Sequence, residues 1–421
     1  MTKWDWTEPL VWTKRMLAAL ESGVKGGKWY SLIDKLHPEA TLRRAYEQVK
    51  ANRGAAGVDH VTIERYASDL DANLKRLSEE LRSGSYRPQA IRRHYIPKPG
   101  SGEKRPLGIP TVRDRVVQTA LRMVLEPIFE RDFATHSYGF RPGRGCKDAL
   151  RRVTELLEAG YVHIVDADLK SYFDTIPKDR LLALVGRKVA DGRVMALIES
   201  FLEQGVLDGV RQWTPEQGTP QGAVVSPLLS NIYLDPLDHL MAGLDYEMVR
   251  YADDFVVMCR SPAEAAAALA EVQRWTTQVG LALHPTKTRL VEARTDGFDF
   301  LGYRFAGGRR RPRAKSLQKY KDAVRTLTKR TSGHSLPKII ADLNRTARGW
   351  FEYFKHSHRS TFRPLDGWTR RRLRSILRKR HGGKGISRGN DHLRWPNAYF
   401  AKHGLFTMQD AYALARQSSR R

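Results

Sequence analysis

Apolar positions recur at helical spacing in two early stretches, Leu42 to Lys50 and Ile63 to Arg82, which predicts amphipathic helices there. A further helix is expected from Thr111, because Val116, Ala120, Val124 and Ile128 share one face, with Pro127 marking its end. The pattern then shifts to short runs rich in β-branched and aromatic residues. YVHIVDADL, EMVRYADDFVVMC, GLALHPTKTRLVE and FDFLGYRF are the strand candidates. Between the second and third lies the clearest helix: Ser261 is a good N-cap, Pro262 takes the first helical position, Glu264 follows three residues after the cap, and Gly280 closes an Ala-rich run. The order there is hairpin, helix, strand. After residue 305 the periodicity is helical and basic, and in TRRRLRSILRKRH the residues Leu373, Ile376 and Leu377 form one stripe among arginines, which reads as a separate all-helical domain. With no internal repeat or low-complexity linker, the boundaries come from punctuation, chiefly the Gly/Pro-rich RPQAIRRHYIPKPGSGEKRPLGIP that ends the first 110 residues.

Composition narrows the class. An apolar share of 41% in 421 residues excludes a disordered chain, and two cysteines, Cys146 and Cys259, exclude a disulfide scaffold and suit a reducing interior. The start, MTKWDWTEPL, has no leader pattern, and no apolar run is long enough for a membrane span, so a soluble, unexported protein is expected. The charge is more telling. Residues 301–421 hold 31 Lys plus Arg against 6 Asp plus Glu, a net +25 out of +27 for the whole chain. Such a field concentrates polyanions. Trp350, Phe351, Tyr353, Phe354, Trp368, Trp395, Tyr399 and Phe400 interleave with it, a mixture that favours nucleic acid, with phosphate contact and base stacking, over a membrane surface.

Four segments could carry chemistry. YADD sits between apolar runs, so Asp253 and Asp254 are expected at a tight hairpin, although no glycine supplies the positive φ such turns prefer; adjacent carboxylates there call for a cation. In HIVDADLKSYFD a period of two puts Val162, Ile164, Asp166 and Asp168 on one face, bringing two acids to the end of an apolar strand. GTPQGAVVSPLLSNIYLDPLD reads as a loop whose Gly218, Pro220 and Gly222 permit close approach of a ligand, with Gln221 as donor and acceptor, followed by a packed helix. In IPKPGSGEKRPLGIP, Lys98 and Arg105 flank a turn and could converge on phosphates.

The blocks IPK(x)6RPLGIP, FRPGRG, DADLKSYFD, TPQGAVVSPLLSNIYLDPLD, YADD, HPTKT and FLGY occur in the order and rough spacing of reverse transcriptases. In detail the chain resembles the bacterial group II intron reverse transcriptase and maturase family. GAAGVD (54–59) is similar to that family's N-terminal extension of the fingers, and RGWFEYF (348–354) to its maturase, or thumb, domain. The resemblance implies an α+β right-hand polymerase, with fingers and a palm of antiparallel sheet and helices, followed by an all-helical basic thumb. The expected division is 1–110 for the extension and fingers, 111–305 for the fingers–palm core, 306–368 for the thumb, and 369–421 for a basic segment binding DNA and RNA.

Matching the motifs selects Asp168 over Asp166 as the partner of Asp253 and Asp254 in holding two Mg²⁺ ions, with Mn²⁺ as a substitute, for in-line attack of a primer 3′-hydroxyl. It implies Phe173 as the aromatic gate against a ribose 2′-hydroxyl, Lys98 and Arg105 as triphosphate contacts, Gln221 beside nucleotide and template, Lys287 as a palm lysine, and Leu301 and Gly302 in the primer grip. Arg370, Arg371, Arg372, Arg374, Arg378, Lys379 and Arg380 are the candidates for nucleic-acid contact. The implied partners are group II intron RNA, an RNA template with its DNA primer, target DNA and dNTPs, in the bacterial cytoplasm near the nucleoid. Relatives often append an endonuclease with a Cys-based zinc site; with its two Cys in the fingers–palm region, this chain resembles the short class without it. Two rivals stand beside an RNA-directed DNA polymerase with maturase activity: an RNA-binding splicing cofactor with a vestigial site, and a host-adopted reverse transcriptase in repair or defence.

Overall fold

Local chemistry starts the helices where the sequence leads one to expect them. The Thr111 hydroxyl accepts from the Asp114 amide at 3.1 Å and Ser261 from Glu264 at 3.2 Å, capping helices Val112–Glu130 and Pro262–Gln278. Pro127 does not end the first, which runs three residues past it. The stretch Ile63 to Arg82 is broken at Asp69 into Ile63–Ser68 and Leu70–Ser83. The computed structural model describes residues 3–97 and 104–418.

Among the described residues the strands are β1 (Ile91–Pro97), β2 (Lys104–Ile109), β3 (His163–Asp168), β4 (Val206–Asp208), β5 (Arg211–Trp213), β6 (Glu247–Tyr251), β7 (Asp254–Cys259), β8 (Arg289–Glu292), β9 (Phe298–Phe300), β10 (Tyr303–Ala306) and β11 (Arg309–Pro312). They form three sheets, ordered β2-β1-β4-β5, β6-β7-β3-β8 and β11-β10-β9. In the second, β7 lies between β6 and β3 and is antiparallel to both, which is the expected palm-like arrangement. Of GLALHPTKTRLVE only the last part is a strand; its start makes a single bridge, Leu283 to Leu169.

The chain divides into two compact units, 1–291 and 292–421. The break therefore falls ahead of the expected 305, because FDFLGYRF pairs with β11 in the second unit. That unit is accordingly not all helical: a three-stranded antiparallel sheet precedes its helices. Nor is there a boundary at 368, since the helix Phe362–Arg380 runs through it with Leu365, Leu373, Ile376 and Leu377 buried. The first unit has one continuous core, onto which the N-terminal tryptophans dock; Trp12 is buried and donates to the Met123 carbonyl at 3.0 Å. In the second unit Phe351, Phe354, Trp395 and Phe400 are buried, and Trp350, Trp368 and Tyr399 pack on its core. Half of the interleaved aromatics thus build the core of the domain, and Trp350, Trp368 and Tyr399 pack on it while half-buried.

Candidate active site

Strand register creates the site. In the β3–β7 ladder Asp168 lies opposite Asp254, and in the β6–β7 ladder Tyr251 lies opposite Asp254, leaving Ala252 and Asp253 as a two-residue turn. Asp253 is thus in the turn and Asp254 opens β7. Ala252 supplies the left-handed conformation itself, at φ +59°, a choice that costs an alanine about 1–2 kcal/mol. The surroundings hold it there. The Ala252 carbonyl accepts from Arg250 Nη1 at 2.9 Å, and Gly139, in the FRPGRG-adjacent segment, packs so closely that a Cβ on it would stand 2.8 Å from the Tyr251 carbonyl carbon. The Arg250 guanidinium is wholly buried and paired with Asp238, two residues the sequence reading passed over. Their signal was present in part: a lone cation in the apolar MVRY calls for an acid, and the otherwise apolar helix carries two, Asp235 and Asp238.

The four acids have different environments. Asp166 is held by Arg289, with Nε and Nη2 at 3.0 and 2.9 Å from Oδ2, whereas Asp168, level with Asp254, receives Lys287 Nζ at 2.7 Å. The HPTKT loop reaches it because the His284 amide donates to the Asp168 carbonyl at 2.7 Å. Burial, and then the neighbouring Asp168 carboxylate, push the Asp253 carboxyl above its ordinary value, against the pull of Arg105 and Arg250. Among the described residues no three His, Cys, Asp or Glu side chains gather closely enough to hold an ion unaided. A hard carboxylate at the end of β3, Asp168, and another in the adjoining β6–β7 turn, Asp253, nevertheless fit Mg²⁺, which ordinarily takes one or two protein carboxylates and completes its shell with water and substrate phosphates.

Beside the acids, the TPQG loop is tied to β2 and to the segment after β3. The Gly108 amide donates to the Gln221 carbonyl at 2.6 Å, and the Thr219 amide to the Phe173 carbonyl at 2.7 Å. Gly222, at φ +107°, lies against Gly108, where a Cβ would also meet Leu107 Cδ1 at 2.9 Å, so this glycine lets the loop pack closely on β2. With its amide oriented by its neighbours, Gln221 donates to the Pro106 carbonyl at 2.8 Å and accepts from Arg105 Nη2 at 3.2 Å. Phe173 and Gln221 line a 240 Å³ cavity together with Arg93, Gly108, Trp213 and Pro220. Lys98 lies outside the described residues. The GAAGVD loop is fixed to the same unit, its Ala55 carbonyl accepting from Arg115 Nη2 at 2.8 Å.

In the second unit Leu301 (φ +46°) and Gly302 (φ +82°) form the β9–β10 turn; Tyr353 Oη donates to the Leu301 carbonyl at 2.8 Å and the Arg313 amide to that of Gly302 at 2.9 Å. Of the basic candidates, Arg371, Lys379 and Arg380 are exposed and Arg370 half-buried. Arg372 donates to Thr328 Oγ1 at 2.9 Å, and Arg378 pairs with Asp391 at 3.1 Å. Arg374 is a correction: it is 2% exposed, with Nε 2.8 Å from the Trp395 carbonyl and Nη2 2.8 Å from Asn397 Oδ1, because it lies on the helix face that carries Leu373 and Leu377 into the core.

Residues 96–305 match the reverse transcriptase (RNA-dependent DNA polymerase) family, and residues 317–395 the maturase-specific domain of group II introns. The two matches define an RNA-directed DNA polymerase domain, a type that works with divalent metal ions, joined to an intron maturase domain. Protein YkfC of Escherichia coli (strain K12) is 36% identical over 311 residues, 64% of this chain and 81% of that protein. The group II intron-encoded protein LtrA of Lactococcus lactis subsp. cremoris is 38% identical over 208 residues, 49% of this chain and 34% of the relative. An uncharacterized 91 kDa protein in the cob intron of Schizosaccharomyces pombe is 32% identical over 359 residues, 69% of this chain and 44% of the relative. The chain belongs to the group II intron-encoded reverse transcriptase and maturase family, and it spans less than half the length of the latter two relatives. Among the described residues no helix is long and apolar enough to cross a membrane.

Proposed function

We propose that this protein copies RNA into DNA from a DNA primer, using two Mg²⁺ ions, and binds group II intron RNA to assist splicing and mobility into target DNA. The observation that carries the reading is the ladder register that brings Asp168 level with Asp254, one residue from Asp253 in the turn. Asp168 and Asp253 would hold the metal, with Asp254 acting mainly through its field. With the ions bound, the chemistry supplied is a more acidic primer 3′-hydroxyl and a stabilised pyrophosphate leaving group. The protein's own groups do the rest. Arg105 and Lys98 bind the triphosphate, Gln221 steadies the Arg105 guanidinium, and Phe173 blocks a 2′-hydroxyl from the sugar side of the cavity. Lys287 supplies a positive charge at Asp168. Leu301 and Gly302 support the primer, while Arg370, Arg371, Lys379 and Arg380 hold nucleic-acid backbones, a role for dispersed cations.

The test is extension of a DNA primer on an RNA template with Mg²⁺ and dNTPs, comparing the natural chain with Asp253→Ala, and measuring RNA binding by both. Extension by the first and none by the second, with equal binding, is the expected result. Tight RNA binding with extension by neither would reassign the chain as a splicing cofactor.

A further inference from the structure

We propose that Arg250 is a positioning residue for nucleotidyl transfer: it sets the backbone of the YADD turn and, through it, the direction in which Asp253 presents its carboxylate. The inference rests on the polymerase reading of the site. Arg250 is 0% exposed and spreads its donors over three acceptors from two elements. Nε lies 2.8 and 3.0 Å from the two Asp238 oxygens, and Nη1 is 2.9 Å from both Asn231 Oδ1 and the Ala252 carbonyl. Asp238 and Asn231 stand on the helix Ser226–Gly243, so the turn is braced on a rigid element of the core. Asn231 Nδ2 donates in turn to the Gly139 carbonyl at 2.8 Å, and the Arg250 main chain pairs with the same segment, its amide with the His136 carbonyl at 3.0 Å and its carbonyl with the Tyr138 amide at 2.9 Å.

The bond to Ala252 is the one that matters for chemistry. A peptide unit is planar, so fixing the Ala252 carbonyl also fixes the orientation of the Asp253 amide. Ala252 holds a left-handed conformation that alanine leaves readily, and relaxation of the turn would break this bond. An apolar residue would satisfy packing at this fully buried place, so the strand has no need of a buried guanidinium for its own sake. The planar fork of arginine addresses a carboxylate, an amide and a main-chain carbonyl from separate nitrogens held in one plane, whereas lysine gathers its donors on a single flexible point charge. Asp238 neutralises the cation, leaving its geometry as the contribution to the turn.

The experiment uses the full chain with Arg250→Lys, Asn231→Ala, and Arg250→Lys combined with Ala252→Gly. Mn²⁺ affinity is read by electron paramagnetic resonance without nucleotide, alongside kcat, the KM for dNTP, template–primer affinity and the thermal midpoint. For Arg250→Lys, Mn²⁺ affinity falls about 10–100-fold, as for other residues that orient metal ligands. The kcat falls by about 100-fold, with KM and template–primer affinity unchanged. Adding Ala252→Gly restores part of both losses, because glycine adopts the left-handed turn without the brace. Unchanged Mn²⁺ affinity in folded Arg250→Lys, or a loss that only follows the melted fraction and is not rescued by glycine, overturns the proposal. Should Arg250→Lys fail to fold, Asn231→Ala decides: weaker Mn²⁺ binding in a folded protein supports the brace, and unaltered binding refutes it. If the natural chain extends no primer, the polymerase reading fails by itself, while the Mn²⁺ titration still reports on the turn.

Discussion

Arg374 and Lys379 lie five residues apart in one helix, and the structure separates their roles sharply enough for a paired test. Arg374→Ala leaves the buried Trp395 carbonyl without its 2.8 Å donor, at about 1–3 kcal/mol, and removes a guanidinium 5.2 Å from the Phe400 ring, at about 0.5–2 kcal/mol. A loss near 3 kcal/mol follows for the second unit. At about 3 °C per kcal/mol for a unit of this size, its thermal midpoint drops by roughly 10 °C. Lys379→Ala removes an exposed cation, so stability changes by no more than about 0.5 kcal/mol. If that lysine meets a phosphate, the slope of log K for RNA against log salt becomes shallower by about 0.7–0.9. The assays are calorimetry of the full chain and RNA binding at several salt concentrations. An Arg374→Ala protein with an unshifted midpoint and a shallower salt slope would refute the assignment of Arg374 to the core.

Phe173→Ala enlarges the cavity that Phe173 lines and, on the proposed role of Phe173 as a sugar gate, is expected to raise ribonucleotide use relative to deoxyribonucleotides by about 10–100-fold in single-nucleotide extension. Gly139→Ala drives a Cβ into the main chain at Tyr251 and Ala252; extension falls by about 100-fold while far-ultraviolet circular dichroism stays unchanged. Trp12→Ala removes a buried ring and its bond to Met123, lowering the stability of the first unit by about 3–5 kcal/mol in urea melts, and a loss under 1 kcal/mol would show that the N-terminal segment is only loosely docked.

The family's motifs were legible because each is a short contiguous run of particular side chains. DADLKSYFD, TPQG, YADD and HPTKT are contiguous, and the caps at Thr111 and Ser261 act within one turn of helix. Charge was legible as composition, since the excess cation count of residues 301–421 needs no coordinates. The unit boundary was harder to read, because FDFLGYRF is a hairpin by its own pattern whichever unit it joins, and only its pairing with Arg309–Pro312 decides. Arg374 and Phe400 were not legible for the same reason: a helix displays cations and aromatics on its circumference, and neighbouring helices determine which face is covered, burying these two while leaving Lys379 in solvent.

By itself the sequence determined the family, the mixed α/β class, the motif positions of the carboxylates Asp168, Asp253 and Asp254 and the strongly basic character of residues 301–421, all properties held in local residue order. Only the tertiary structure decided how those carboxylates are presented. The register that sets Asp168 against Asp254, the left-handed Ala252 and the buried Arg250 that braces it join residues from 139 to 254, and such contacts exist only once the strands and the helix between them have packed.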